Sequence, residues 1–370
     1  MMTVEELRDN LSLARIPHVG DVHIYQLIKY AGSATALFKM KRKQLEAIPG
    51  IGSIRAQAIL EGHDPKSSEK EILFAQKNGI DIIIRGTEAY PHRLDQCHDA
   101  PHLFFYKGNA PLNHHRILAV VGTRSPTTYG KERTAELITS LSEENVIVVS
   151  GLAYGIDTIA HSQSMQMGLS TIGVLAHGLD KIYPSANRAM AMNMVFNGGL
   201  LTECWQGTKP DKQNFPRRNR IVAGMCDAVV VVESRVKGGS LITADIANSY
   251  NRDVYAFPGK STDPQSKGCN SLIRNHQAQL ISSGSDLLES MNWMPVPKKN
   301  VERQRSLFPQ LDEEEKRVYD LIAQFDSIPI DQLQGSIGVR YSHLAATLLS
   351  LELKGVLNVL PGKTYAVIPP

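Results

Sequence analysis

Short runs of consecutive apolar residues recur in the middle of the chain, and helical patterns lie between them. The runs are RILAVVG, VIVVSG, STIGVLA, GGLLTEC, AVVVVES and DVYAFPG, and the helical patterns include GKERTAELITSLSEE and TADIANSYN. Strands that are apolar at every position are covered on both faces, as in a parallel sheet with helices on both sides. The pattern therefore predicts a doubly wound α/β domain over residues 86–293, whose ligands bind at the carboxyl ends of the strands.

The N-terminal region, residues 1–85, shows short helical patterns separated by Gly and Pro. Residues 16–28 and 48–60 look like two copies of one unit. Both begin with Ile-Pro, have Val-Gly or Ile-Gly after one further residue, and continue into an apolar helical pattern. The second copy resembles a helix-hairpin-helix motif. We therefore expect a small helical domain of the helix-hairpin-helix/SAM-like type.

In such a hairpin, Gly50 and Gly52 permit a tight turn, and their amides can contact a phosphate of duplex DNA at a helix start. The first copy carries His18 where the turn favours glycine, which indicates a packing role. The alternative is a helical bundle that uses both glycines only as turns.

A linker rich in Pro and charge, MPVPKKNVERQRSLFPQ (residues 294–310), leads into the last region, residues 311–370. There, three helical patterns precede a strand, a Pro-Gly turn and a second strand, which is the order of a winged-helix domain. Asp312 and Glu315 form an acidic helix start. The third helix has few outward-facing cations, so we expect protein contact or weak duplex binding rather than readout of base edges.

The composition narrows the class of protein. The 370 residues are 42% hydrophobic and 21% charged with a net charge of +3, which is ordinary for a globular protein and decides nothing about partners. No apolar run reaches the roughly 18 residues of a membrane helix, and the acidic start MMTVEELRDN is unlike a secretory signal. The four cysteines form no C-x-x-C pair, which fits a reducing cytoplasm and disfavours a disulfide or zinc framework.

Glycine-rich stretches follow three of the predicted strands. They are GTRSPTTYG, SGLAYGID and ESRVKGGSLITA, and the candidate phosphate contacts within them are Gly122, Thr123, Arg124, Ser150, Gly151, Tyr154, Gly155, Gly239 and Ser240. Glycines let the backbone open onto a helix start, where unpaired amides attract anions. Because these stretches share one edge of the sheet, we predict an anion-binding surface there.

The stretch NFPRRNR, after the fourth run, sets an aromatic ring among cations at the same edge. Its candidate DNA-binding residues, with two lysines just upstream, are Lys209, Lys212, Phe215, Arg217, Arg218, Asn219 and Arg220. Arginine matches phosphate oxygens and Phe215 offers a face for an unpaired base, so the combination favours single-stranded nucleic acid. The alternatives are burial of Phe215 beneath the loop and anchoring of Arg220 by an acid such as Glu203.

Catalysis has weak support in the sequence. The fingerprint G-x-G-x-x-G and the acid of a dinucleotide site are both missing, and no catalytic triad order, metal-ligand spacing or Walker lysine occurs. Asp157 fits a helix start, His161 a structural hydrogen bond, and Glu203 an arginine partner. We therefore predict no cofactor, no metal and no active site.

Several stretches in order resemble the DNA-processing protein A family of bacteria (DprA, also called Smf). They are VVGTR, SGLAYGIDTIAH, GLDKIYP, NFPRRNRIVAG, GGSLITADIA, FPG and GCNSLI, and they span the whole Rossmann-like domain. The resemblance implies a homodimeric single-stranded DNA-binding protein that protects DNA taken up in natural transformation and loads the RecA recombinase past single-strand binding protein. It also implies strand contacts by Arg124 and Lys212 and base stacking by Phe215.

The chain departs from the family pattern at three places. Tyr154 and Ser185 stand where lysine is common, and Gly238 stands where serine is usual. The missing cations would lower the affinity for DNA, unless Tyr154 stacks on a base and Arg188 restores charge.

The family dimer is built on the later part of the α/β domain. In this chain that implies an interface at Asn270, Leu272 and Ile273, whose spacing equally suits the core.

One alternative belongs to a different class of protein. KGGSLITA distantly resembles the phosphate loop of lysine-decarboxylase-like nucleotide phosphoribohydrolases. Such an enzyme needs a catalytic acid paired with arginine, and Glu203 or Glu233 would have to supply it.

Overall fold

A computed structural model describes residues 2–294, 311–325, 327–360 and 362–368. The chain forms two compact units, Met1–Met294 and Pro295–Pro370. None of the helices in the described ranges is long and apolar enough to cross a membrane.

The N-terminal part of the first unit is helical, as the sequence predicts. Its helices are α1 (Val4–Ala14), α2 (Asp21–Ala31), α3 (Ala34–Phe38), α4 (Arg42–Glu46), α5 (Ser53–Glu61) and α6 (Pro65–Asn78). The two similar segments form the same turn, since His18 has a φ of 67° and Gly50 a φ of 82°. Arg55 ties the turns together by donating to the carbonyls of His18 (3.0 Å) and Gly50 (2.9 Å).

A nine-stranded sheet with helices on both faces follows. The strands are β1 (Asp81–Ile84), β2 (Leu103–Gly108), β3 (Ile117–Val121), β4 (Ile147–Ser150), β5 (Thr171–Val174), β6 (Gly199–Thr202), β7 (Ala228–Val231), β8 (Asp253–Ala256) and β9 (Gln279–Leu280). The helices are α7 (His92–Asp95), α8 (Thr128–Leu141), α9 (Ile156–Gln166), α10 (Arg188–Asn197), α11 (Asn214–Gly224), α12 (Gly239–Ser249), α13 (Lys267–Arg274) and α14 (Gly284–Ser290), with a 3₁₀ turn at Ser185–Asn187.

The order of the strands is β1-β2-β6-β5-β4-β3-β7-β8-β9. All neighbours from β6 to β9 are parallel, so the six apolar runs of the sequence are confirmed as β3 to β8 of a doubly wound sheet. The chain moves outward from β3 to β6 on one side and resumes at β7 on the other. Such a switch point opens a crevice at the carboxyl ends of the strands.

The core has one apolar layer on each face of this sheet. In β3, Ile117, Ala119 and Val121 belong to the layer that includes residues of α11 and α12. Leu118 and Val120 belong to the opposite layer, with residues of α8 and α9. All five are buried, and full burial of each large side chain stabilises the fold by about 1.5–3 kcal/mol. Successive residues of each strand thus enter apolar layers on opposite faces of the sheet, which is why the sequence is apolar at consecutive positions.

Two antiparallel strands extend the sheet at one edge. β2 pairs with both β1 and β6, and β1 lies within the stretch that the sequence analysis places in the helical domain. The strand-forming residues Ile82–Ile84 directly follow the left-handed turn at Gly79 that ends α6.

The second unit contains α15 (Glu313–Ile322), β10 (Ile328–Pro329), α16 (Ile330–Ile337), α17 (Tyr341–Leu353), β11 (Leu357–Leu360) and β12 (Thr364–Val367). These are the predicted three helices and β-ribbon, with the short β10 added beside β12. The acidic start of α15 is confirmed, because Asp312 accepts the amides of Glu314 and Glu315, and Glu315 accepts the amide of Asp312. The linker before it lies outside the described residues.

Candidate nucleic-acid interface

A cleft of about 400 Å³ opens at the switch point of the sheet. We call it the rim cleft. The predicted site residues that line it are Gly122, Thr123, Arg124, Gly151, Phe215, Arg218, Asn219, Gly239 and Ser240. The three glycine-rich loops and the NFPRRNR stretch therefore meet in one place.

The first two loops are joined by their main chains. The amide of Ile156, the first residue of α9, donates to the carbonyl of Thr123 at 3.1 Å. Gly155 precedes it with a φ of 83°, a conformation that favours glycine, and is not among the residues that line the cleft. Ser150 does not reach the cleft, because its buried hydroxyl donates to the carbonyl of Val120 at 2.6 Å.

The third loop leads into α12. Ser240, in the first turn of this helix, donates its hydroxyl to the hydroxyl of Ser234 at 2.9 Å. The departure at Gly238 has a local reason, since a Cβ there would lie 2.1 Å from the hydroxyl oxygen of Ser234. A serine at this position would need that side chain to move.

The NFPRRNR stretch is the start of α11 and not a loop, which corrects the sequence analysis. A proline is tolerated there because the amides of the first helical turn have no partner within the helix. Phe215, Arg218, Asn219 and Val222 line the cleft, and their spacing of three to four residues puts them on one face of the helix.

Aromatic rings gather at one side of the rim cleft. The guanidinium of Arg124 lies 5.4 Å from the centre of the Phe215 ring, and the ring of Tyr183 lies 6.4 Å from it. Tyr154, Tyr183, Phe215 and Arg124 line a small adjoining hollow, and both tyrosines are half-exposed. Sequence reasoning missed Tyr183, although the IYP of GLDKIYP contains it.

Arg218 and Asp157 are both buried and both line the cleft. Arg218 donates to the carbonyl of Val174, while its Nε has no hydrogen-bond partner among the described residues. Burial raises the pKa of the Asp157 carboxyl, and Arg218 and the amide of Ala153 oppose that rise. Asp157 lies in the first turn of α9, at the helix start that the sequence predicted, and accepts the Ala153 amide of the preceding loop at 3.2 Å.

Arg217 and Arg220 contact acids and are not among the residues that line the rim cleft, and their assignment to the DNA-binding set stays a prediction. Glu203 accepts from Arg220 at 2.5 Å and lies 3.0 Å from Arg217, as the alternative for Arg220 anticipated. Burial raises the pKa of the Glu203 carboxyl, and both arginines counteract this effect. Asp21 completes the group from the N-terminal helices.

Lys209 and Lys212 are exposed on the segment that leads into α11 and are not among the residues lining the cleft. Other cleft-lining residues were missed by the sequence analysis. They are Ser125, Ala153, Ser234, Arg235, Lys237 and Gln265. Gln265 bridges two loops, accepting from Nε of Arg235 at 3.0 Å and donating to the carbonyl of Ser125 at 3.2 Å. Arg235 and Lys237 are both in the stretch ESRVKGGS, so their charges next to a glycine-rich loop could have indicated a place in the site.

The remaining candidates for catalysis have structural contacts. Both ring nitrogens of buried His161 are within 2.6 Å of oxygens, those of Thr171 and Gly151, and burial lowers its pKa to about 4. Glu233 accepts the amide and hydroxyl of Thr127 at 2.9 and 2.6 Å. The hydrogen-bonding role predicted for His161 is confirmed.

The segment expected to form a dimer interface is part of the chain's own core. Leu272 is buried, Ile273 packs against the same apolar layer, and Asn270 holds both main-chain groups of Gly259 at 3.1 and 2.9 Å. These contacts fit the alternative that the segment serves the core, and its place in a dimer interface stays a prediction. Gly50 and Gly52 are exposed, and their contact with duplex phosphate stays a prediction. Ser185 and Arg188 are likewise exposed.

Fold and site together define a class: a doubly wound α/β protein with a cationic, amide-lined cleft at its switch point, flanked by aromatic rings. Family models place the chain within that class more narrowly. Residues 81–292 match the model of DNA recombination-mediator protein A, and residues 303–363 match the DprA winged helix domain. The chain belongs to the DNA recombination-mediator protein A family.

Individual relatives agree. The chain is 43% identical to the DNA processing protein DprA of Streptococcus pneumoniae over 54% of this chain and 71% of that protein. It is 34% identical to a putative DNA processing protein DprA of Mycobacterium tuberculosis over 95% of this chain and 92% of that protein.

Two solved structures are similar. That of Streptococcus pneumoniae DprA has a TM-score of 0.68 and 33% identity, covering 76% of this chain and 97% of that one. The Helicobacter pylori protein, whose structure concerns its single-stranded DNA binding mode, has a TM-score of 0.53 and 29% identity, with coverages of 58% and 95%.

Proposed function

We propose that the rim cleft binds single-stranded DNA without regard to sequence. The observation that carries the proposal is the position of Arg124, whose guanidinium lies over the Phe215 ring beside the glycine-rich loops. A phosphate held by that cation and the loop amides places its base near the ring. Every base has a face that can stack, and a duplex hides it, so the arrangement favours an unpaired strand.

We propose a finer biological role on the basis of the family. We infer that the protein is a cytoplasmic recombination mediator that protects incoming strands in natural transformation and helps load RecA past single-strand binding protein, acting as a homodimer. The related chains are DNA processing proteins, and the Helicobacter pylori relative binds single-stranded DNA. This supports binding as the primary activity.

The hydrolase alternative lacks support at the site. The two acids it requires, Glu203 and Glu233, are not among the residues lining the rim cleft. Glu203 is held behind α11 by arginines, and Glu233 caps the loop before α8. Neither carboxylate faces a ligand in the cleft.

The winged helix is proposed to contact protein. Leu349 and Leu353 of α17 are 55% and 81% exposed, so the third helix presents two large apolar side chains to the outside. A helix that reads a DNA groove instead presents Arg, Lys, Asn or Gln.

Removal of single cations tests the DNA site. Arg124→Ala and Lys212→Ala are each expected to weaken oligothymidine binding and to lower the salt slope by about 0.7, one phosphate's share for a single strand. Fluorescence anisotropy over a salt series measures both quantities. Lys70→Ala, on the exposed side of α6, is the matched control. Isotherms that match wild type for both variants at every salt concentration would contradict the proposal.

The aromatic side of the cleft gives a second test. Tyr183→Ala is expected to weaken oligothymidine binding by roughly fivefold, within the 1–3 kcal/mol of one stacked base, because its half-exposed ring lies beside Phe215. Binding of an abasic oligomer of equal length should change less than twofold. Equal losses for both oligomers would assign Tyr183 to folding and not to stacking.

A further inference from the structure

Helix α11 has two opposite functional faces. Phe215, Arg218 and Val222 line the rim cleft, whereas Arg217 and Arg220 contact acids on the other side. At 3.6 residues per turn, these two sets lie about 180° apart around the helix axis. Whatever holds the second set therefore contributes to fixing the rotation of the first, together with the bond of Arg218 to Val174 and the packing of the helix on the core.

The acids that hold the back face come from two regions of the chain. Glu203 follows β6, and Asp21 is the first residue of α2 in the N-terminal helices. Asp21 Oδ2 lies 3.1 Å from Arg220 and 3.5 Å from Arg217. Its other oxygen accepts the amide of His102 at 2.9 Å, just before β2.

This contact is enclosed and balanced in charge. The side chains of Glu203, Arg220 and Asp21 are only 6%, 8% and 19% exposed. Two arginines face two carboxylates, and Arg220 also donates to the carbonyl of Asp99. Each added hydrogen bond of this kind restricts how the guanidinium can turn.

Local contacts at the start of α11 are hydrogen bonds of the main chain, in which the amides of Gln213 and Asn214 donate to Asp211 at 2.9 and 3.1 Å. The N-cap residue of the helix, Gln213, makes no side-chain capping bond, and the segment before it is largely exposed. The ion pairs of the back face are thus among the contacts that tie the first two turns of α11 to the rest of the first unit, beside the hydrogen bond from Arg218 to the carbonyl of Val174.

We propose that Asp21 is a positioning residue for DNA binding, through which the N-terminal helical domain sets the rotation of α11 and so aims Phe215 and Arg218 into the rim cleft. The inference rests on the proposed function. It makes the N-terminal helices a part of the binding apparatus without any contact between Asp21 and DNA.

A double-mutant cycle in the full-length protein tests this coupling. Asp21→Asn keeps the shape of the side chain and an acceptor for the His102 amide but removes the charge. We expect it to weaken oligothymidine binding by roughly 3- to 10-fold in the wild-type background and by less than twofold in the Phe215→Ala background, the non-additivity of coupled residues. Asp21→Glu, which restores a carboxylate, should regain most of the affinity.

Controls separate positioning from folding. Glu69→Gln removes an acid that pairs with Arg8 within the N-terminal helices, and it should bind like wild type. Should Asp21→Asn fail to fold, Arg217→Gln approaches the same contact from its exposed member and carries the same expectation. Equal losses in both Phe215 backgrounds overturn the inference alone, whereas absence of wild-type binding overturns the proposed function and the inference with it.

Discussion

Replacing Arg218 with alanine is expected to lower the free energy of unfolding by about 3–5 kcal/mol, the cost of leaving a buried charge without its opposite. Arg218 is 7% exposed, and Asp157 beside it is 8% exposed. The arginine also donates to the carbonyl of Val174, which would lose that bond. Urea unfolding at neutral pH measures the change.

The loss should shrink as the pH falls. Burial already raises the pKa of Asp157, and the positive charge of Arg218 opposes this rise more than any other group does. Without Arg218 the folded-state pKa rises further above the unfolded-state value. A carboxyl of this kind destabilises the fold increasingly as the pH climbs from the unfolded-state pKa to the folded-state pKa, and not below the former. The part of the deficit that Asp157 carries should therefore vanish near pH 4, about the unfolded-state pKa, and the loss of the bond to Val174 should remain.

The double variant Arg218→Ala with Asp157→Asn is the control, because it removes the buried carboxylate as well. It should regain a large part of the lost stability and have no pH dependence from this site. If the loss of unfolding free energy in Arg218→Ala is the same at every pH from about 4 to neutral, Asp157 does not carry the effect.

The strands of the sheet were predictable because burial on both faces leaves a direct mark on the sequence. Every residue of β3 and β7 is buried, so each appears as an uninterrupted apolar run. β1 lacks this mark, since its first residue Asp81 is exposed and only its last two residues are buried. The sequence of an edge strand that is covered on one side only is hard to distinguish from the end of the preceding helix.

The loops of the site were predictable for a related reason. Glycine is required where main chains approach closely, and the carboxyl ends of parallel strands share one edge. The sequence therefore located Gly151 and Gly239 together without any knowledge of distances. It did not settle whether a polar side chain such as Ser150 turns towards the ligand or back into the sheet.

The arginines of α11 show where the sequence stops being informative. Adjacent cations look equivalent in NFPRRNR, yet Arg218 faces the cleft and Arg217 faces Glu203. Helical spacing would have separated them once the stretch was recognised as a helix. The partners of these arginines lie 14 to 199 residues away in the sequence. Asp21, which pairs with Arg220, belongs to the N-terminal helices, and no local pattern encodes such contacts.

Gly155→Ala is expected to weaken single-stranded DNA binding by at least tenfold, through the main chain of a neighbouring loop. A Cβ at position 155 would lie 2.3 Å from the carbonyl oxygen of Thr123 and 2.8 Å from Cα of Arg124. Both are main-chain atoms, so the loop that carries Arg124 must move. The φ of 83° adds strain of about 1–3 kcal/mol for a residue with a side chain.

The size of the effect follows from what that loop holds. Displacing Arg124 removes its contact with phosphate and its place over Phe215, and a hydrogen bond to a charged group is worth about 1.5–3 kcal/mol, or roughly 10- to 150-fold. Anisotropy with oligothymidine, together with thermal unfolding to confirm that the variant is folded, measures the outcome. Gly335→Ala, in α16 with open space around it, is the control. A folded Gly155→Ala variant with wild-type affinity would mean that the strand binds without the first loop, and the rim cleft would then lose its central cation as a DNA contact.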